Sequence, residues 1–169
     1  MKSKIIKLQD LDIIIFDFDG VLTDNKVHLD QKGNELVSCN RSDGLAFDIL
    51  KIIKKPTYII STEKNKVVAA RAKKLKIPVI FGVKNKSDVL KKLLSKKKFN
   101  FNKTLYVGND LNDYEALKLC GYSACPSDSH KKIKKISTFI LDAKGGSGVV
   151  RELLEKILKV NFLKIMSSK

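Results

Sequence analysis

The sequence predicts an α/β fold in which a mostly parallel β-sheet is covered by helices on both faces. Short apolar runs rich in β-branched residues alternate with longer segments whose apolar residues recur at helical spacing. The apolar runs lack polar residues at every second position, as expected for strands that are buried on both faces. No internal repeat or linker is visible, so we expect one domain over residues 1–169.

The first predicted elements are a strand from Asp12 to Phe18 and a β-hairpin from Lys26 to Cys39, whose turn "DQKG" uses Gly33. A helix follows in "DGLAFDILKIIKK" and ends at Pro56. The remaining predicted strands are "TYIIS", "PVIF", "KTLYVGN", "GYSACP" and "TFIL". The remaining predicted helices are "NKVVAARAKKL", "KSDVLKKLLSKK", "DLNDYEALKLC", "SDSHKKIKKI" and "GVVRELLEKILKV".

The formal net charge of +16 comes almost entirely from lysine. The lysines lie in segments typical of solvated helix faces, arginine is scarce, and aromatic residues are not interleaved for base stacking. These features favour a basic surface without a specific ligand, and they argue against nucleic acid as a partner. A nucleic-acid-binding module or a polynucleotide phosphatase stays open as an alternative. A positive field would also steer a small phosphorylated substrate toward the protein.

No apolar stretch has the length of a membrane span, and the N-terminal segment "MKSKIIKLQD" lacks the features of a signal peptide. We therefore expect a cytoplasmic protein with no membrane partner. The three cysteines, Cys39, Cys120 and Cys125, are interpreted as thiols rather than as a zinc site, because their spacing contains no second pair.

Polar residues follow four of the predicted strands. In a parallel sheet, ligands bind beyond the carboxyl ends of the strands, so these residues are expected to converge. Asp17 and Asp19 follow the first strand, in "IIIFDFDGVLTD". The others are Ser61, Thr62 and Glu63 after "TYII", Lys84 to Lys86 after "PVIF", and Asn109, Asp110 and Asp113 after "TLYVG".

This combination of acids, a hydroxyl and a lysine suits the chemistry of phosphate esters. A cluster formed by Asp17, Asp19 and the "GNDLND" segment would bind a hard cation such as Mg²⁺. A lysine and a hydroxyl would neutralise the remaining phosphoryl oxygens. One aspartate can attack phosphorus to form an aspartyl-phosphate, and the other can protonate the leaving alcohol and later activate water.

The segments "DFDGVLTD", "IIS", "GVKNKSDVL" and "GNDLND" resemble the four motifs of the haloacid dehalogenase superfamily of phosphatases. Together with "NRSDG" and "AKGGSGVVRELLE", they resemble the capless branch that acts on 3-deoxy-octulosonate 8-phosphate or nonulosonate 9-phosphate, from about Leu11 to Leu158. This branch serves lipopolysaccharide or sialic acid biosynthesis and also resembles the phosphatase-like domain of acylneuraminate cytidylyltransferases. The resemblance implies a Rossmann-like three-layer sandwich without a cap domain, and a homotetramer built through the hairpin.

The resemblance also implies roles for particular residues. Asp17 matches the nucleophile, and Asp19 matches the general acid and base whose backbone carbonyl also binds metal. The metal site would comprise Asp17, Asp19, Asn109, Asp110 and Asp113, and which of the last three contacts the metal directly stays open. The phosphate site would comprise Ser61, Thr62 and Lys86. The residues implied to bind substrate are Asn40, Arg41, Ser42, Asp43, Gly44, Glu63, Arg71 and Lys74.

Several alternatives remain open at this point. Asp43 is also the expected N-cap of the following helix, and Arg71 could be a surface residue of its own helix. The amide Asn109, where relatives often carry an acid, keeps open a non-catalytic tetramerising domain. Glu63 stands where the octulosonate branch has an arginine, which favours a nine-carbon over an eight-carbon substrate, unless Glu63 merely caps its loop or pairs with a lysine.

Overall fold

A computed structural model describes residues 5–167 of the chain. The strands in chain order are β1 (Ile13–Phe16), β2 (His28–Leu29), β3 (Glu35–Leu36), β4 (Thr57–Ile60), β5 (Val79–Ile80), β6 (Thr104–Val107), β7 (Tyr122–Cys125) and β8 (Phe139–Ile140). The helices are α1 (Arg41–Ile52), α2 (Lys66–Leu75), α3 (Lys86–Lys97), α4 (Tyr114–Leu119), α5 (Lys131–Ile136), α6 (Val149–Glu152) and α7 (Phe162–Ser167).

Six strands form one parallel sheet in the order β5-β4-β1-β6-β7-β8. Strand β1 lies in the interior of the sheet, where Ile14 pairs with Thr57 of β4 and with Leu105 of β6. All four residues of β1 are buried. An interior strand that has no polar residue is what a sheet covered on both faces requires.

Helices cover both faces of this sheet. Ile14 and Phe16 of β1 pack in one core with α1, α2, α6 and α7, whereas Ile13 and Ile15 pack in a second core with α3, α4 and α5. Successive residues of a strand point to opposite faces, so a single run of four apolar residues serves both cores. The predicted α/β three-layer architecture is confirmed.

The predicted hairpin is present, but its paired strands are only two residues long. The carboxylate of Asp30 accepts hydrogen bonds from the backbone N–H groups of Lys32 and Asn34, and Gly33 has a φ of +79°. Thr23 and Cys39 form an isolated bridge at the base of the hairpin. The turn is thus organised by Asp30 together with the glycine that the sequence predicted.

Helix α1 begins earlier than the sequence predicted. The side chain of Asn40 accepts a hydrogen bond from the backbone N–H of Ser42, so Asn40 is the N-cap. The prediction that Asp43 caps this helix is wrong, because Asp43 already lies in its first turn.

Two further segments differ from the prediction. The segment "DLNDYEALKLC" begins with a 3₁₀ turn, Leu111–Asp113, before α4 starts. The closing helix is the short α6, continued by a π-helical turn at Leu153–Ile157, and α7 follows although no pattern had indicated it. Its Phe162 is buried in the core beside α1 and α6, so tertiary packing holds this helix.

Between residues 5 and 167, the chain contains no helix with the length and apolar character needed to span a membrane. Cys39, Cys120 and Cys125 are all free thiols.

Candidate active site

The polar residues that follow β1, β4, β5 and β6 meet at the carboxyl edge of the sheet. Asp17 directly follows β1, Ser61 directly follows β4, and Asn109 lies two residues after β6. Because β4, β1 and β6 are neighbours in the sheet, Asp17 lies between the other two strand ends. Lys86 is the first residue of α3, whose start is set by the Asn85 side chain, an acceptor for the N–H groups of Ser87 and Asp88.

Lys86 joins two buried carboxylates. Its Nζ lies 2.7 Å from Asp17 Oδ1 and 2.7 Å from Asp113 Oδ1. The three residues are 2%, 3% and 0% exposed, in the order Lys86, Asp17 and Asp113. Buried charges of this kind persist only when they are paired and hydrogen-bonded. When both carboxylates are ionised, the cluster has two negative charges against one positive charge, which favours the binding of a further cation.

Burial raises the pKa of Asp17, and the negative charge of Asp113 raises it further, while Lys86 and the N–H of Phe18 act in the opposite direction. Burial alone would lower the pKa of Lys86, but Asp17 and Asp113 outweigh this effect and raise it. Lys86 is therefore an ammonium group at neutral pH.

Asp113 has no oxygen turned toward a cation. Oδ1 accepts hydrogen bonds from Lys86 Nζ at 2.7 Å and from the Tyr106 hydroxyl at 3.0 Å. Oδ2 accepts them from the backbone N–H groups of Asn109 at 3.0 Å and Asp110 at 3.3 Å. Asp113 therefore anchors Lys86 and the loop after β6, and these contacts do not favour it as the direct metal ligand among the three candidates left open.

Asp110 also lies apart from the buried cluster. It is exposed, and its Oδ1 accepts a hydrogen bond from the N–H of Leu111 at 2.7 Å. Within residues 5–167, no three or more His, Cys, Asp or Glu side chains are grouped so that they could hold a metal ion. The expected multi-carboxylate cluster is thus not formed by the side chains of the "GNDLND" segment.

Asn109 is better placed to meet a cation. Its side chain is buried, and its Oδ1 has no hydrogen-bond partner among the described residues. It packs against Gly20, where an added Cβ would overlap the amide group of Asn109. Gly20 has a φ of +74°, which favours glycine. A buried oxygen that has no partner among the described residues, on a side chain that packs against the loop following Asp17 and Asp19, fits a divalent cation with oxygen ligands.

Asp19 is only partly buried, unlike Asp17. Its partial burial raises the pKa of its carboxyl group, and the nearby carboxylate of Glu63 raises it further. The side chain of Thr23 accepts a hydrogen bond from the N–H of Gly20 at 3.2 Å and closes the turn that carries Asp19. Asp19 is therefore more accessible than Asp17, and its carboxyl group holds a proton more readily than an ordinary aspartate does.

The residues after β4 form a tight loop. Ser61 is buried, and its Oγ accepts a hydrogen bond from the N–H of Glu63 at 3.0 Å. Thr62 Oγ1 accepts one from Asn112 Nδ2 at 3.3 Å. The carboxylate of Glu63 accepts hydrogen bonds from the N–H groups of Lys64 and Asn65, at 2.6 and 2.8 Å. Glu63 thus caps its own loop, which was one of the open alternatives.

Four of the residues expected to bind substrate line a cavity, and two others are bonded to each other beside it. Arg41, Gly44, Arg71 and Lys74 line one cavity of about 350 Å³. Arg71 Nη2 donates a hydrogen bond to the backbone carbonyl of Asn40 at 3.0 Å, which links this cavity to the residues after the hairpin. The side chain of Asn40 also accepts a hydrogen bond from the Ser42 hydroxyl, so these two side chains are bonded to each other.

Asp43 does not line this cavity. It is buried, and its Oδ1 accepts a hydrogen bond from the backbone N–H of Arg151 at 3.0 Å, at the start of α6. Its Oδ2 has no hydrogen-bond partner among the described residues. Burial raises the pKa of Asp43 to about 6, although the N–H groups of α6 oppose this change. The carboxyl group of Asp43 therefore connects α1 to α6.

Sequence reasoning missed several residues that support the site. Tyr106 lies inside β6 and looked like an ordinary core residue. The glycine-rich segment is pressed against the site loop, because an added Cβ at Gly145 would overlap the backbone carbonyl of Gly20. The N–H of His130 donates a hydrogen bond to the Asn109 carbonyl at 2.9 Å. Only the glycine-rich motif carried a signal in the sequence.

Comparison with known proteins agrees with this geometry. A model of the haloacid dehalogenase-like hydrolase family matches residues 4–153. The chain is 30% identical over 155 residues to the 3-deoxy-D-manno-octulosonate 8-phosphate phosphatase of Escherichia coli, a match that spans 91% of this chain and 82% of that protein. It is 29% identical over 154 residues to the same phosphatase of Haemophilus influenzae, across 90% of this chain and 86% of the relative.

Solved structures also show similarity to haloacid dehalogenase-like proteins. A haloacid dehalogenase family protein of Streptomyces avermitilis superposes with a TM-score of 0.91 at 36% identity, covering 95% of this chain and 92% of that one. The 3-deoxy-D-manno-octulosonate 8-phosphate phosphatase of Moraxella catarrhalis superposes with a TM-score of 0.88 at 29% identity, covering 95% and 94% of the two chains. That structure is a complex with a magnesium ion, a phosphate ion and a KDO molecule.

Proposed function

Because the chain belongs to the haloacid dehalogenase-like hydrolase family, we propose that it is a Mg²⁺-dependent phosphatase for the phosphate monoester of a 3-deoxy sugar acid. The observation that carries this proposal is the buried pairing of Asp17 with Lys86, 2.7 Å apart at the carboxyl edge of the sheet. The named relatives in Escherichia coli and Haemophilus influenzae, which are phosphatases of an eight-carbon sugar acid, support the substrate class.

Asp17 is the proposed nucleophile. Its carboxylate attacks phosphorus while the bond between phosphorus and the sugar oxygen breaks, which leaves an aspartyl-phosphate. Lys86, whose Nζ lies 2.7 Å from Asp17 Oδ1, favours the ionised form of this carboxylate, and its ammonium group would bind the incoming phosphoryl oxygens. The N–H of Phe18, which donates to Asp17 Oδ1 at 2.7 Å, orients the same oxygen.

Asp19 is the proposed general acid and base. In the first half-reaction its carboxyl proton passes to the departing sugar oxygen. In the second half-reaction its carboxylate takes a proton from water as the water oxygen attacks phosphorus. The bond between Asp17 and phosphorus then breaks, and inorganic phosphate leaves. The raised pKa of Asp19 supports this role, because it enlarges the protonated fraction that the first half-reaction needs.

Asp17, the backbone carbonyl of Asp19 and Asn109 Oδ1 are the residues that would hold Mg²⁺. Mg²⁺ usually keeps several waters and takes few protein ligands, so this small donor set is sufficient. When bound, the cation would supply positive charge to the phosphoryl oxygens. The unpartnered Oδ1 of Asn109 is what supports this assignment over Asp110 and Asp113.

The remaining roles concern substrate binding. We assign the phosphate group to Ser61, Thr62 and Lys86. The sugar-acid carboxylate is assigned to the cavity that Arg41, Arg71 and Lys74 line, because guanidinium and ammonium groups pair well with carboxylates.

Within the substrate class we propose a nine-carbon acid 9-phosphate. The reason is Glu63, whose negative charge stands where the octulosonate branch has an arginine. Glu63 also caps its own loop through Oε1, and a Glu63 that did only this would carry no information about the substrate. Catalytic efficiency on the nine-carbon and eight-carbon phosphates is to be compared in wild type and in Glu63→Arg. A wild-type preference for the eight-carbon phosphate, or a preference unaffected by Glu63→Arg, would contradict this choice.

The exposed hairpin supports a homotetramer. Leu29 and Leu36 are 68% and 64% exposed, and Val27 is 53% exposed. Apolar side chains grouped on a short hairpin favour burial against another subunit. Such a contact would also help to exclude water from a site that has no cap domain.

The mechanism is tested by phosphate release with Asp17→Asn. The amide has nearly the same shape as the carboxylate but cannot act as the nucleophile, so turnover should be lost while the thermal unfolding midpoint and circular dichroism show a folded protein. EDTA should abolish wild-type activity, and Mg²⁺ should restore it. Near wild-type turnover by Asp17→Asn would refute the aspartyl-phosphate route. A wild type that releases no phosphate would instead support a non-catalytic domain.

A further inference from the structure

The two oxygens of Asp113 serve different parts of the site. Oδ2 accepts the backbone N–H groups of Asn109 and Asp110 and thereby holds the loop that carries the proposed metal ligand. Oδ1 accepts hydrogen bonds from the Lys86 ammonium group and from the Tyr106 hydroxyl. The lysine and the metal-binding loop are thus attached to one carboxylate, but at separate atoms.

Tyr106 reaches this carboxylate from the interior of the sheet. It lies in the middle of β6, is fully buried, and packs in the core formed with α3, α4 and α5. Phenylalanine would fill such a position without placing a hydroxyl group in an apolar core. A buried hydroxyl is stable only with a partner, and here the partner is Asp113 Oδ1 at 3.0 Å.

Lys86 stands between two competing acceptors. Its Nζ is 2.7 Å from Asp17 Oδ1 and 2.7 Å from Asp113 Oδ1. In this buried environment either carboxylate alone would hold the ammonium strongly. The hydroxyl of Tyr106 occupies part of the acceptor capacity of Asp113 Oδ1 and stabilises its negative charge, which weakens the attraction of that oxygen for Lys86.

We propose that Tyr106 is a positioning residue that keeps the Lys86 ammonium group directed at Asp17 and the phosphoryl group, by sharing Asp113 Oδ1 with it. The inference rests on the proposed phosphatase activity. It gives a buried core tyrosine a role in phosphate binding that acts through Asp113 Oδ1, the atom that Tyr106 and Lys86 share.

The substitution Tyr106→Phe tests the proposal because it removes only the hydroxyl group. Without that donor, Lys86 should be drawn toward Asp113 and away from the phosphoryl group. With a simple aryl phosphate as substrate, we expect kcat to fall about fivefold and the inhibition constant of inorganic phosphate to rise about fivefold, the scale of one hydrogen bond. The Mg²⁺ concentration for half-maximal activity should not change, because Asp113 Oδ2 still holds the Asn109 loop.

Tyr58→Phe is the matched control. Tyr58 lies in strand β4, which β1 separates from β6, and it lines a groove at the opposite, amino end of the sheet. The control should leave kcat, the phosphate inhibition constant and the Mg²⁺ requirement as in wild type. A Tyr106→Phe enzyme that behaves like the control would overturn the proposal. So would equal losses of phosphate and Mg²⁺ affinity, which would indicate a general structural disturbance.

A second measurement asks whether Tyr106 acts through Lys86. Phosphate affinity in the presence of Mg²⁺ is measured by calorimetry for Lys86→Met with and without Tyr106→Phe. We expect no further loss from Tyr106→Phe in this background, and an undiminished loss would overturn the proposal. Should Lys86→Met fail to fold, the comparison of phosphate and Mg²⁺ constants in the single variant decides. A wild type inactive on every phosphate ester refutes the proposed function, whereas an active wild type with an unchanged Tyr106→Phe refutes only this inference.

Discussion

Asp43 links the start of α1 to the start of α6, and its ionisation should affect the stability of the whole domain. Its Oδ1 accepts the N–H of Arg151, while its Oδ2 is buried without a partner in the part of the chain that the structure describes. The protonated acid is favoured in this environment. We therefore expect Asp43→Asn, which imitates the protonated form, to be more stable than wild type at alkaline pH.

The size of this stability difference follows from the pKa of Asp43. Burial raises the pKa of Asp43 from the ordinary value of 3.8 to about 6. Because the folded state binds the proton more tightly than the unfolded state, this stabilisation is fully present below pH 3.8 and is lost as the pH rises through about 6. The difference corresponds to at most about 3 kcal/mol in the free energy of unfolding.

The assay is urea unfolding of wild type and Asp43→Asn at several pH values between about 4 and 8, with reversibility checked at each pH. Other titrating groups contribute equally to both proteins, so the difference in unfolding free energy isolates Asp43. Asp43→Asn should gain stability relative to wild type as the pH rises, by up to about 3 kcal/mol. The control is Asp48→Asn, an exposed position on the same helix whose carboxylate pairs with Lys51 at the surface.

Two results would refute this reasoning. A difference between wild type and Asp43→Asn that does not depend on pH would mean that the carboxyl group titrates normally in the folded state. A difference that falls as the pH rises would mean that the N–H groups of α6 stabilise the carboxylate more than burial disfavours it.

Three further predictions concern the site and the assembly. Gly20→Ala should raise the Mg²⁺ concentration for half-maximal activity at least about tenfold. The added methyl group would displace Asn109, and a backbone φ of +74° disfavours alanine. An unchanged Mg²⁺ titration would contradict the assignment of Asn109. Asp19→Asn should slow phosphate release by about 10²- to 10⁴-fold because proton transfer is lost. Mg²⁺ binding should be retained, because the metal donor proposed at this residue is its backbone carbonyl. A turnover close to wild type would exclude Asp19 as the acid. Light scattering at micromolar concentration should show a tetramer that Leu29→Lys weakens, and a monomer in wild type would be inconsistent with the proposed role of the hairpin.

Local patterns were enough to predict much of this protein. The apolar, β-branched strands and the helical periodicity indicated the parallel three-layer fold, because burial on both faces leaves a direct mark on residue type. The positions of Asp17, Lys86 and Asn109 after different strands indicated one site, because parallel strands bring their carboxyl ends to the same edge. Gly33 indicated the hairpin turn, because its φ of +79° favours glycine.

Other features were decided only by tertiary structure. No local pattern distinguishes Asp113, which anchors Lys86 and Tyr106, from a metal ligand in the same motif. The same holds for Asp43, whose partner Arg151 lies 108 residues further along the chain. The physical reason is that a buried polar group must find its partners among the atoms that surround it in the folded protein. Those atoms come from distant parts of the chain and meet only when the sheet and its helices pack.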